Sequence, residues 1–138
     1  MTERGLERFV DAQVGSYAAA LAELRAGAKR SHWMWFIFPQ IAGLGQSAMA
    51  RRYAIRDLDE AQAYLAHPLL GARLHECVEA VTAWAGRRTP EQIMGGIDAV
   101  KLRSSLTLFE AAGGGAVFAE ALEGLYGGER DERTLALS

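Results

Sequence analysis

Hydrophobic residues recur at helical spacing along most of this chain, and capping residues mark where several of these stretches begin. Asp57 is a good N-cap, and Thr89 followed by Pro90 resembles the start of another helix. The pattern predicts helices from about residue 6, over 16–25, over 58–66, from Pro68 to about Trp84, over 90–94, from an N-cap at Asp98 to about Ala112, and over 116–126.

The segment Trp33 to Ile41 is apolar on every side, so periodicity alone allows either a buried strand or a buried helix. A strand would find no partner, because every other apolar stretch has helical spacing. We therefore expect a short central helix, with Ser31 as a possible N-cap, that ends before Pro39. Burial of Trp33, Trp35 and Phe36 is expected in a chain of this size.

These segments together predict an all-α fold: one compact domain over residues 1–138, built as a bundle of about seven or eight helices. The tail after Gly127 is polar until Leu135 and Leu137, and the sequence leaves open whether it docks or frays. Half of the 138 residues are hydrophobic and 23% are charged, which is typical of a folded globular protein.

Composition excludes several classes of protein. The single cysteine, Cys77, permits no intramolecular disulfide and no cysteine-based metal cluster. No run approaches the roughly 18 to 20 apolar residues of a membrane span, so no membrane partner is expected. The charged N-terminal residues do not resemble a signal peptide, and a cytoplasmic location is therefore expected. No metal and no cofactor is implied.

Charge is distributed unevenly. Residues 24–56 contain no acidic residue but six basic ones, whereas the whole chain has a net charge of -2. The overall balance argues against nucleic-acid binding as the function. Arginine beside aromatic rings suits an anionic, ring-bearing ligand. The alternative is an ordinary surface whose acidic partners come from other helices.

Two motifs suggest chemistry that their context does not support. The stretch Gly43-Leu44-Gly45-Gln46-Ser47-Ala48 matches a loose dinucleotide-binding fingerprint, but no βαβ unit surrounds it, so a Rossmann domain is rejected. A helix that begins near Ser47 could still offer backbone donors to a phosphate. Lys101 and Ser105 share one helix face, which leaves a serine–lysine nucleophile pair as a hypothesis.

The candidate ligand-binding residues are His32, Gln40, Lys101 and Arg103, which we expect around one cleft. His32 is the best candidate for acid–base work because its ordinary pKa permits it. Burial of the aromatic segment forces its polar neighbours to point outward or to find hydrogen-bond partners, which favours such a shared polar cleft. No catalytic residue is assigned.

The chain also resembles a known family. The string Ser-His-Trp-Met-Trp-Phe-Ile-Phe-Pro-Gln at 31–40 is its most specific part, and the similarity continues through 52–55, 63–68, 101–109 and 118–128. The family consists of small bacterial proteins of unknown function, some of which are mislabelled calpastatin. The resemblance implies an all-helical, single-domain cytoplasmic protein and carries no reaction, cofactor or catalytic residue with it.

Two functions from different classes remain. The first is a small-molecule-binding domain for an anionic, nucleotide-like ligand, with enzymatic activity left open. The second is a structural or protein-interaction module, such as a homodimer, in which the aromatic segment forms core or interface. A polar cleft favours the first, and a contiguous apolar patch without a cleft favours the second.

Overall fold

The computed structural model describes residues 2–138, with side chains from residue 5 onward. Within that range the fold is all-α, as predicted, but it has ten helices where the sequence indicated about seven or eight. They are α1 (Thr2–Val14), α2 (Tyr17–Ala26), α3 (Met34–Ile37), α4 (Ala48–Arg52), α5 (Leu58–Ala66), α6 (Leu70–Thr82), α7 (Pro90–Met94), α8 (Gly96–Ala111), α9 (Ala116–Tyr126) and α10 (Glu132–Leu137).

The two helices beyond the eight that the sequence predicted are α4, for which the sequence indicated only a candidate start near Ser47, and α10. Each is short, with five and six residues respectively, so neither produces a hydrophobic repeat long enough to recognise. The Ser47 hydroxyl accepts a hydrogen bond from the backbone N–H of Ala50 and thereby caps α4. The second helix, α10, shows that the tail after Gly127 docks on the fold, because its Thr134 is fully buried.

Helix α8 lies at the centre of the bundle and packs against α5, α7, α9 and α10. Every residue from Ser104 to Phe109 is buried, so this helix contributes polar as well as apolar side chains to the interior. The predicted N-cap at Asp98 is wrong by one turn. Gly95, at a φ of 87°, separates α7 from α8, and Asp98 lies within the first turn of α8.

The aromatic segment forms the short helix α3, and this helix ends before Pro39 as predicted. Trp33 and Phe36 are buried, whereas Trp35 is only partly buried. Glu23 of α2 anchors the approach to α3 by accepting hydrogen bonds from the Arg30 and Ser31 backbone N–H groups, the Ser31 hydroxyl and the Trp33 indole. Ser31 therefore binds α2 and does not cap α3.

Local capping explains where the neighbouring helices begin. Asp57 accepts from the backbone N–H of Glu60, as expected for the N-cap of α5, and Thr89 with Gln92 completes a capping box at α7. Helix α6 begins at Leu70 and not at Pro68. The imidazole Nδ1 of His67 accepts from the backbone N–H groups of Leu69 and Leu70, so a histidine satisfies the donors at this helix start.

Candidate functional site

The loop between α3 and α4 is held in place by its backbone. The N–H of Ile55 donates to the carbonyl of Gln40 at 2.8 Å, and the N–H of Ala42 donates to the carbonyl of Ile55 at 2.8 Å. These two bonds make the isolated parallel bridge between Ile41 and Ile55, which is the only strand-like pairing within residues 2–138. They fix the backbone of Gln40, and its side chain then reaches the cavities beside the loop.

The glycines of the rejected dinucleotide fingerprint have a packing role here. Gly43 has a φ of 101°, in the left-handed region, and a Cβ on Gly45 would lie only 2.5 Å from the Cβ of Ala50. The loop therefore folds tightly onto α4. Because no βαβ unit accompanies it in the described residues, the arrangement agrees with the rejection of a Rossmann domain.

A cleft of about 660 Å³ opens between this loop, α4, the first turns of α8 and α10. Its walls combine cationic, polar and apolar groups from segments far apart in the sequence. The lining residues are Gln40, Leu44, Gly45, Gln46, Ser47, Ala50, Ile97, Val100, Lys101, Arg103, Ser104, Asp131 and Arg133.

Of the residues whose side chains are described, three cationic ones line this cleft: Lys101, Arg103 and Arg133. The ammonium Nζ of Lys101 lies 3.9 Å from a carboxylate oxygen of Asp98 and 5.8 Å from the centre of the Trp35 ring. The guanidinium of Arg103 donates to Glu129 at 3.1 Å, while its buried Nε has no hydrogen-bond partner among the described residues. Arg133 is exposed at the rim.

Asp131 is the single carboxylate that lines the cleft among residues 5–138, and its hydrogen bonds stabilise the fold. Asp131 accepts hydrogen bonds from the hydroxyls of Ser104 and Thr134, and its backbone N–H donates to Thr107. Although burial by itself would raise it, the bonds from Thr134 and Ser104 lower the pKa of Asp131. The carboxylate thus stays charged and ties α10 to α8, which leaves the cleft with an excess of positive charge.

Three of the four predicted site residues meet in the cleft: Gln40, Lys101 and Arg103. His32 does not line it. Its side chain is exposed in the loop that Glu23 holds against α2. Whether any of the four binds a ligand stays a prediction.

The sequence pattern did not indicate the cleft residues Asp131 and Arg133 at the start of α10, or the apolar side chains of Leu44, Ile97 and Val100. Asp131 is the sequence feature that could have indicated α10, because an acidic residue immediately before a helix is a common N-cap.

Other hypotheses from the sequence do not fit the geometry. Helix α4 has a single turn and its hydroxyl cap already takes one backbone donor, so its start offers no phosphate site. Ser105 is 1% exposed and its hydroxyl has no partner among the described residues, so no lysine activates it. Burial raises the pKa of the Cys77 thiol to about 12, which makes it unreactive.

The basic window is partly paired with acids from other helices, as the alternative interpretation held. Arg25 pairs with Glu76, Lys29 with Asp98, and Arg56 with Glu60. Arg51 instead donates to the side-chain oxygen of Gln46 at 3.3 Å, close to the cleft. Arg51 therefore brings one positive charge of the window close to the cleft.

Comparison with known proteins gives a family and a solved structure. The family model described as "Protein of unknown function (DUF1810)" matches residues 3–137. The conserved hypothetical protein Rv1873 from Mycobacterium tuberculosis, whose crystal structure is known, is 53% identical to this chain in sequence. The two structures superimpose with a TM-score of 0.92, and the match covers 96% of this chain and 94% of that one. No curated protein matches. None of the helices in the described part of the chain is long and apolar enough to cross a membrane.

Proposed function

We propose that this protein, which belongs to the DUF1810 family of proteins of unknown function, binds a small anionic ligand in the cleft between α4, α8 and α10. The observation that supports the proposal is the convergence of Lys101, Arg103 and Arg133 on one cavity. Among the described residues, the only carboxylate that lines it is Asp131, which already holds two helices together. Cationic groups grouped in a concave site are a general means of binding phosphate or carboxylate.

The existing partner of Arg103 would not compete strongly with such a ligand. Glu129 is 74% exposed, and exposed ion pairs contribute only about 0 to 1 kcal/mol. An incoming phosphate or carboxylate oxygen can therefore replace Glu129 at small cost. The apolar side chains of Leu44, Ile97 and Val100 line another part of the cleft.

Arg103→Ala tests the proposal directly. Titration with inorganic phosphate and with ribose 5-phosphate at low salt, followed by calorimetry, should show binding to the wild type and a loss of about tenfold or more in the variant, because a charged hydrogen bond is removed. Arg30→Ala is the matched control, because Arg30 is an exposed arginine that does not line the cleft.

His32→Ala separates the present site from the one the sequence indicated. Because His32 does not line the cleft, this variant should bind both probes as the wild type does. Equal binding by wild type and Arg103→Ala, or no binding by folded wild type, would reject the cleft as an anion site. The geometry assigns no catalytic residue, so the proposal concerns binding alone.

A second candidate function is self-association. Ile97 and Val100 on α8 are 75% and 55% exposed, and Leu135 and Leu137 on the adjoining α10 are 46% and 44% exposed. Apolar side chains exposed on neighbouring helices favour a protein interface. Light scattering across a range of protein concentrations would decide between a monomer and a homodimer, and Ile97→Asp should prevent association if this surface is used.

A further inference from the structure

A second, smaller cavity lies beside the cleft, under the loop between α3 and α4. It has a volume of about 230 Å³, and we call it the ring chamber. Aromatic and small residues form most of its walls, with one amide and one guanidinium at its edge. The lining residues are Trp35, Gln40, Ile41, Ala42, Gly43, Gly45, Ala50, Arg51, Tyr53 and Ala54.

The ring chamber and the cleft adjoin each other. Gln40, Gly45 and Ala50 line both cavities. Trp35 lines the chamber and also has the ammonium of Lys101, a cleft residue, 5.8 Å from its ring centre. A ligand that entered the chamber would therefore extend past Gln40 towards the cationic side chains of the cleft.

The walls of the chamber suit a flat ring. Cavities of about 150 Å³ already hold benzene, so the volume is sufficient for a planar heterocycle. Tyr53 is fixed by ring contacts with Phe9 and Phe36, at centre-to-centre distances of 5.8 and 5.3 Å, so this wall exists before any ligand arrives. Trp35 is partly buried, which leaves part of its ring free to contact a ligand.

Gln40 adds hydrogen-bonding capacity at the junction of the two cavities. Its backbone is held by Ile55, and the residue lines both cavities. An amide presents both donors and an acceptor, which match the polar edge of a nucleobase better than a hydrocarbon ring does. Gln40 lies at the junction of the two cavities, where the ring of a ligand would join the part that carries its anionic group.

We propose that the ring chamber takes the heteroaromatic ring of a ligand whose anionic group lies in the cleft, so that the ligand class is that of a nucleoside monophosphate. This proposal rests on the proposed function for its anionic half. The ring half stands on separate residues, chiefly Trp35, Tyr53, Ala42 and Gln40. The two halves can therefore be tested apart.

Four probes distinguish them by calorimetry at low salt: adenosine and uridine monophosphates, ribose 5-phosphate, and adenosine. At least one nucleotide should bind about ten- to a hundredfold more tightly than ribose 5-phosphate, because a base stacked on an aromatic side chain adds affinity. Ala42→Leu, which fills the chamber from its wall, should abolish that difference and leave ribose 5-phosphate binding unchanged. Ala48→Leu is the control, since Ala48 is exposed on α4 and lines neither cavity.

The tryptophan fluorescence supplies an independent readout. Nucleotide binding should change the emission of the wild type, and Trp35→Phe should remove this change, because Trp35 lines the chamber while Trp33 is buried and Trp84 lies elsewhere.

The outcomes separate the two proposals. If ribose 5-phosphate binds as tightly as both nucleotides, the ring chamber proposal is wrong and the anion site stands. If adenosine binds, Ala42→Leu abolishes that binding and ribose 5-phosphate does not bind, the chamber stands and the anion site is wrong. If the folded wild type binds none of the four probes, both proposals are rejected.

Discussion

Ser104 and Ser105 are neighbours on α8 whose hydroxyl groups have different surroundings. The Ser104 hydroxyl donates to Asp131 at 2.9 Å, while the buried Ser105 hydroxyl has no partner among the described residues. We expect Ser104→Ala to lower the free energy of unfolding by about 1.5 to 3 kcal/mol and Ser105→Ala to raise it by about 1 kcal/mol. Urea denaturation of both variants checks this, and equal effects would contradict it.

The two tryptophans of the aromatic segment should also differ in their contribution to stability. Trp33 is 1% exposed and its indole N–H donates to Glu23 at 2.9 Å, whereas Trp35 is partly buried beside the ring chamber. Trp33→Ala should cost about 3 to 5 kcal/mol of unfolding free energy. Trp35→Ala should cost clearly less, and a denaturation midpoint as low as that of Trp33→Ala would show that its ring belongs to the core.

For individual residues, the sequence indicated which residue types could bind an anion, but it did not indicate the position of each one in the fold. Gln40, Lys101 and Arg103 do share the cleft, because polar residues next to buried segments must emerge at a surface. His32 does not join them, because the loop that carries it is held to α2 by four hydrogen bonds to Glu23. A tertiary contact of that kind leaves no periodic trace in a sequence.

The connection from α2 to α3 depends on one carboxylate and should therefore be sensitive to acid. Although burial alone would raise it, hydrogen bonds from Ser31, Arg30 and Trp33 lower the pKa of Glu23 to about 2, from an ordinary value of 4.5. Since the pKa is lower in the folded state, Glu23 stabilises the fold fully above pH 4.5, and this stabilisation is lost as the pH falls towards 2.

Glu23→Gln should lower stability at pH 7 and reduce the further loss between pH 4.5 and 2. Thermal denaturation over this range measures both effects. Glu120→Gln, at an exposed position on α9, is the control and should follow the wild-type curve. An acid response of Glu23→Gln identical to that of the wild type would show that this carboxylate does not stabilise the connection.

Helix α2 ends at a glycine that cannot be replaced without strain. Gly27 has a φ of 71°, and a Cβ there would lie 2.7 Å from the ring of Trp84. Gly27→Ala should therefore cost about 2 kcal/mol or more, from the left-handed backbone and from overlap with the indole. Gly15→Ala has open space around it and should change stability by less than about 0.5 kcal/mol. Chemical denaturation compares the two.

The helices that the sequence predicted well are those with a long apolar repeat or a side-chain cap, such as α5 behind Asp57 and α7 behind Thr89. Errors arose where another contact determines the boundary. Helix α6 begins after Pro68, where the His67 side chain accepts hydrogen bonds from the first backbone N–H groups. Helix α8 begins after Gly95, one turn before the predicted N-cap Asp98. The single-turn helix α4 and the docked α10 are too short for periodicity to reveal.

At the scale of the whole molecule, an anionic ligand must bind to a protein whose own net charge is negative. The chain carries a net charge of -2, so attraction of an anion depends on the local cations of the cleft. Screening acts over about 10 Å at 0.1 M salt and about 3 Å at 1 M. Affinity for ribose 5-phosphate should therefore fall steeply as salt increases, while affinity for adenosine should change little. Calorimetry at several salt concentrations tests this, and equal salt dependence would contradict a charge-based site.

The walls of the cleft come from residues 40–50, 97–104 and 131–133. During translation, α10 leaves the ribosome after every other helix described here, so the cavity is incomplete until Asp131 reaches Ser104. A ligand that needs every wall of this cleft cannot serve as a template for the earlier helices, because the cleft lacks its α10 wall until that helix docks. Occupancy would instead distinguish molecules that have formed α10 from chains interrupted before it, and would protect only the former from proteolysis.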